Sequence, residues 1–161
     1  LAASLAKDLP TLPSDAPINR IFVGVGPGSF SGIRAAIALA QGLALGWNAQ
    51  VEAVRSSNGV AFQHRNATFL GVFSDARRNQ LFVTCYERGQ LSRPSQVIAR
   101  EDLEIWLGKC TLAVSSDGFS SDLLHTVPTA TDILLHLFEH GLKDNLPLEP
   151  IHLRPPLTTS A

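Results

Sequence analysis

The chain has 161 residues, 45% of them hydrophobic, enough to bury one core or two small lobes. Charged residues make up 17% and the net charge is −1, which excludes the clustered basic excess of an autonomous nucleic-acid binder. Cys85 and Cys110 each stand alone in an apolar run and read as buried free thiols of a reducing compartment, not as a disulfide or metal pair.

Leu1, Leu5 and Leu9 fall at helical spacing and predict the tail of an amphipathic helix, after which Pro10, Pro13 and Pro17 punctuate a loop. The chain opens on Leu1 and contains no Met, so the natural N-terminus is expected upstream. A strand over 20–25 leads into a glycine-rich turn and a helix over 31–46. A strand at 50–54, a helix at 56–65 and a strand at 68–74 follow. The segment SDARRNQ, 74–80, reads as the turn of a hairpin whose return strand is 80–87. Next come a short strand near 95–99, a helix at 101–107 and a strand at 110–115. The last helix, 129–140, has Pro128 at its entry, Thr129 or Thr131 as its cap and Gly141 as its stop. A short strand is expected near 150–154. The longest apolar stretch, Ala35–Trp47, is too short to span a bilayer and is broken by Gln41 and two glycines. No signal-peptide pattern is visible. The mixture is α/β, with a lobe boundary near His64–Thr68 that separates an N-terminal lobe, 1–66, from a C-terminal lobe, 67–161.

GVGPGSFSGIRAAIALAQGLALG, Gly24–Gly46, has the order strand, glycine turn, helix that often cradles phosphate. Each phosphate motif misses on its own spacing. The dinucleotide fingerprint needs glycine where Ser29 or Ser31 stands, and no lysine lies between Lys7 and Lys109 to complete a P-loop. Phe30 occupies the serine position of a nucleophile elbow. Gly24, Gly26, Pro27, Gly28 and Ser29 therefore read as a structural turn, with Ser29 or Ser31 as helix cap. In the helix, Gly32, Ala36, Ala40 and Ala44 repeat every fourth residue beside Leu39 and Leu43, and Ala38, Gly42 and Gly46 make a second small row. Small rows admit another helix closely, so the first row is expected to dock a partner, and arginine at Ala36 or Ala40 to block pairing without unfolding the chain. Packing within the chain is the alternative.

Two further patterns touch chemistry. His136–His140 matches the inverted zincin order H-x-x-E-H, yet no convincing third ligand follows it. Asp75 ends a strand before a hairpin, the place where actin-like ATPases carry a phosphate loop, but Ala76-Arg77-Arg78-Asn79 stands where glycines would be. Arg77 and Arg78 are either a solvated turn tip or a charged contact with a partner.

Taken together, the glycine turn and its helix, the segment FSDARRNQLFVTCYE and the segment PIHLRPP resemble, in order, the signatures of the bacterial TsaB (YeaZ) family. Ser31, Gln80 and His152 depart from the usual Thr, Glu and Tyr, and the family's opening strand and hairpin are not present. The resemblance implies an actin-like (ASKHA, ribonuclease-H-like) two-lobed fold with an incomplete N-terminal lobe. It implies a non-catalytic subunit in the formation of N6-threonylcarbamoyladenosine at position 37 of tRNA. The implied partners are TsaD, or a second copy, docked through Leu1–Leu9 and Ser31–Gly46, and the ATPase TsaE. Cofactors are expected to be none of its own, with ATP and metal on TsaD and TsaE; tRNA is met only through the complex, and the setting is cytoplasmic. The rival readings are a zinc peptidase through His136 and His140, a weak ATPase through Asp75, and a self-associating domain unrelated to tRNA.

Overall fold

The computed structural model describes residues 17–141 and 145–151. Leu1, Leu5 and the expected first helix lie outside the described residues, as does most of the expected strand at 150–154.

Two sheets organise the described residues. Strands β1 (Arg20–Gly24) and β2 (Gln50–Val54) pair in parallel, with Ile21 opposite Val51 and Val23 opposite Ala53. A parallel pair needs a crossover, which is α1 (Phe30–Trp47). The Ser29 side chain accepts the Gly32 N–H at its start, and Asn48, in the left-handed region at φ 52°, closes its end. Ile33, Ile37 and Ala40 pack down onto Val23, Val25 and Ala53.

After α2 (Ser57–Gln63), a five-stranded sheet takes the order β5-β4-β3-β6-β7. Its strands are β3 (Leu70–Arg77), β4 (Gln80–Glu87), β5 (Gln90–Ala99), β6 (Leu112–Ser115) and β7 (Leu124–His125). The first three form an antiparallel meander; β6 runs parallel to β3 and β7 parallel to β6. A 3-10 turn, Arg100–Asp102, and α3 (Leu103–Leu107) link β5 to β6, and α4 (Ala130–His140) follows β7. Central β3 is covered on both faces, which explains its unbroken apolar run. Leu70 and Val72 join Tyr86, Val114 and the α2 residues Val60 and Ala61. On the other face Phe73 meets Leu81, Val83, Cys85 and Ile98 under Leu103, Trp106 and Leu107.

The differences from expectation have local causes. Strand β5 starts at Gln90, well before 95, because Pro94 lies on the sheet's edge in a register shift opposite Val83–Cys85, where its missing N–H costs no ladder bond. Two-residue β7 is too short to show a period. The packing boundary falls ahead of α2, near Arg55, and not at 64–68, because Val60 and Ala61 belong to the second core. The chain then returns: Leu146, Leu148 and Ile151 pack on the first core, so the division into 1–66 and 67–161 does not follow the packing. Both cysteines are free, Cys85 buried and Cys110 partly so.

Candidate functional site

The carboxyl ends of both sheets meet at one cleft of about 550 Å³. The glycine turn, Pro27–Phe30, and Ser56 and Ser57 line it from the first sheet's side; Ser74, Asp75, Arg77, Ser116 and Asp117 line it from the second. Ligands of open α/β sheets occupy such positions, outside the strand ends where loops diverge.

Within the turn, the conformation demands glycine only at Gly26. Its φ is +105°, and a Cβ there would come within 2.8 Å of Ile33 Cδ1. At Gly24 the constraint is proximity, since a Cβ would come within 2.6 Å of Ser56 Oγ. The Gly26–Pro27 peptide is cis. The turn is pinned to the start of α2: Gly26 N–H donates to Ser56 Oγ at 3.3 Å, and the Ser56 N–H donates to Gly26 O at 3.1 Å. These bonds and the Ser29 cap fix where α1 starts.

Opposite the turn, the carboxylates are held by the chain itself. Asp75 Oδ1 accepts from the Arg77 N–H at 3.1 Å and faces Arg100 Nη2 at 3.4 Å, while Oδ2 faces Arg77 Nη1 at 3.4 Å. Asp117 Oδ2 accepts the Asp75 N–H at 2.8 Å, and its Oδ1 accepts from Ser115 Oγ at 3.2 Å and Phe119 N–H at 3.3 Å. The hairpin turns through Arg77, Arg78 and Asn79, at φ of 63°, 52° and 57°. Positive φ at both residues of the Arg78-Asn79 loop matches the strand twist of a tight hairpin. Arg78 sits exposed at the tip, and exposed Arg77 reaches back to Asp75. Asp117 lies in the turn SSDGFSSD, 115–122, which in the sequence could resemble a nucleotide loop but holds a single glycine. Arg100 has no sequence signal, being brought to Asp75 by the β3–β4 and β4–β5 pairings.

His136 and His140 do come together on α4, with ring centroids 4.7 Å apart. Among the described residues, however, no group of three His, Cys, Asp or Glu is placed to hold a metal ion. Elsewhere, His64 Nε2 lies 2.9 Å from Thr126 Oγ1, and burial lowers its pKa from the ordinary imidazole value. Burial pushes the Cys85 thiol up to about 11 and raises Cys110 as well.

The expected docking face of α1 needs correction. Ala40 and Ala44 are buried, Ala40 against the first sheet, and Ala36, Leu39 and Leu43 are half-buried; of that row only Gly32 is exposed. Ala40, two residues from the outward-facing Gly42, cannot serve a partner without leaving its own core. The outward face carries Ala35, Ala38, Gly42, Leu45 and Gly46, and Leu45 is 87% exposed. A Cβ at Gly42 or Gly46 would meet nothing within 4 Å. The second small row is therefore the uncovered one. A helix apolar all round gives no phase from sequence, because period alone cannot say which side the sheet takes.

The family model described as tRNA N6-adenosine threonylcarbamoyltransferase (TsaD) matches residues 13–102, more than half of the chain. The chain belongs to the family that this model describes. The tRNA threonylcarbamoyladenosine biosynthesis protein TsaB of Bacillus subtilis (strain 168) is 36% identical to it over 87 residues. That stretch is 52% of this chain and 36% of the B. subtilis protein, so the chain spans about a third of the length of that relative. Two solved Pseudomonas aeruginosa structures resemble it: an uncharacterized protein with similarity to peptidase YEAZ, and YeaZ. The TM-score is 0.67 for each, at 22% and 21% identity, over 94% of this chain and 81% and 84% of theirs. The likeness establishes the actin-like ASKHA fold. Among the described residues, no helix is long and apolar enough to cross a membrane.

Proposed function

We propose that the chain serves the formation of N6-threonylcarbamoyladenosine at position 37 of tRNA as a partner subunit without its own active site. The observation that carries this reading is the cleft, whose two aspartates are taken up by Arg77, Arg100 and backbone N–H groups. A carboxylate so engaged is poorly placed to hold a metal–nucleotide, and the arginine-bearing hairpin offers no open backbone to a phosphate. The TsaD family membership and the TsaB relative support the pathway.

The partner in this reading is TsaD, docked on the outward face of α1 through Ala38, Gly42 and Leu45, with a second copy of the chain taking that face when TsaD is absent. ATP and metal reside on TsaD and TsaE, tRNA is met through the complex, and the setting is the cytoplasm. The test is co-purification of the chain, with any residues native to its N-terminus, with TsaD of the same organism, followed by a tRNA modification assay. The expected result is a stable complex whose activity survives Asp75→Asn. ATP turnover by the isolated chain, abolished by Asp75→Asn, would instead make it an ATPase of the same fold.

A further inference from the structure

Cys85, on β4, and Cys110, just ahead of β6, belong to one core, which Phe73, Leu81 and Val83 form under α3. Between their strands runs β3, where Gly71 pairs with Cys85 on one side and with Ala113 on the other. Residues directly opposite in an antiparallel pair point to the same face, with Cβ positions about 4.5–5.5 Å apart. Glycine has no atom at that position, and Cys110 takes the space: a Cβ on Gly71 would fall 2.6 Å from Cys110 Sγ. The Phe73 ring closes the other side, its Cε2 2.7 Å from the same point. The Cys110 sulfur thus stands where the cross-strand neighbour of Cys85 would be.

The two thiols differ in access. Cys85 is fully buried, whereas Cys110 is partly exposed and its thiol donates to the Trp106 carbonyl at 3.3 Å. Burial raises both pKa values and the neighbouring Cys110 adds to the rise at Cys85, while Lys109 offsets part of it at each. Cys110 is therefore the sulfur an oxidant reaches first, with Cys85 behind it as the other thiol of the chain. A low thiolate fraction slows attack by Cys85, but its fixed place beside Cys110 offsets this, because no encounter is needed.

We propose that Cys85 and Cys110 are a peroxide-responsive pair that closes into a disulfide, cross-linking β4 to the entry of β6 over Gly71. A hydroperoxide takes two electrons from the Cys110 sulfur, leaving a sulfenic acid as its O–O bond breaks and water or an alcohol departs. The Cys85 sulfur then attacks the Cys110 sulfur: the S–S bond forms, the S–O bond breaks, and the Cys85 proton leaves with the hydroxide as water. The test treats the native full chain with hydrogen peroxide, alkylates remaining thiols in denaturant and digests with trypsin, whose cuts after Arg78, Arg88 and Lys109 put the cysteines on separate peptides. The expected result is a monomer lighter by two hydrogens and a reducible product joining the Cys85 and Cys110 peptides. Cys85→Ala is expected to stop at a Cys110 sulfenic acid that dimedone traps. Cys110 that stays reduced, or that gives as much dimedone adduct in the parent as in Cys85→Ala, overturns the proposal. A linked product found only in a disulfide-joined dimer overturns it as well.

Discussion

Arginine placed two residues apart on α1 should have opposite consequences. At Gly42 an added side chain meets nothing within 4 Å. Glycine is about 1 kcal/mol and arginine only about 0.2 kcal/mol worse than alanine in a helix interior, so Gly42→Arg should stabilise the isolated chain by about 0.8 kcal/mol. For a chain of this length that raises Tm by about 2–3 °C. Ala40 is 5% exposed and packed with Val23, Val25 and Ala53. Ala40→Arg forces an unpaired guanidinium and several methylenes into that core, a loss well above about 3 kcal/mol out of a total stability of about 5–15 kcal/mol. Thermal unfolding by circular dichroism measures both effects, and co-purification with TsaD measures pairing. The expected pattern is a folded Gly42→Arg that no longer pairs and an Ala40→Arg that does not fold. A Gly42→Arg chain that pairs like the parent refutes the docking face; an Ala40→Arg chain that melts like the parent refutes the orientation of α1.

Tyr86 is fully buried, its hydroxyl 2.7 Å from Ser57 Oγ and 2.9 Å from Asn58 Oδ1. Tyr86→Phe should cost about 2 kcal/mol and lower Tm by about 4–8 °C; a loss below about 0.5 kcal/mol would mean those bonds add little. For His64, burial lowers the folded pKa below the unfolded value of about 6.5, so the unfolded chain binds protons first as pH falls. Its contribution is complete above about pH 6.5 and is lost as pH drops toward the folded pKa, and chemical denaturation of His64→Gln should show a shallower acid-side decline. A decline identical to the parent's would assign the slope to other groups. With a pKa of about 11, Cys85 is about 0.1% thiolate at pH 8, so iodoacetamide should leave it unlabelled until the chain unfolds. Labelling of native Cys85 as fast as a free thiol counts against its burial.

Most elements were legible because their signals are local. Ser29 and Thr129 cap the helices they precede, Gly141 ends α4, and the hairpin at Arg78-Asn79 follows from polar residues between two apolar runs. What stayed hidden depends on contacts distant in sequence. The phase of α1 is set by the sheet beneath it, and the place of α2 by β3 and Tyr86. The bonds that occupy Asp75 come from Arg100, 25 residues on, and from its own neighbour Arg77. The TsaB-like signature located the cleft's glycine wall but gave no hint that Cys110 stands beside Cys85, since that contact passes over Gly71 on a third strand.

The N–H of Ile151 donates to the carbonyl of Val25 at 2.9 Å, and Leu146 and Leu148 lie on the same core. During synthesis the ribosome releases β1, α1 and β2 ahead of the five-stranded sheet, but their core lacks the cover of Leu146, Leu148 and Ile151 until residues 145–151 emerge. The five-stranded sheet with α2, α3 and α4 is built from one continuous stretch, 57–140, and can close before then. The lobe made first is thus completed last, reversing the usual amino-to-carboxyl order of domain folding. Any stop codon after α4 would then leave a folded second lobe attached to an open first one.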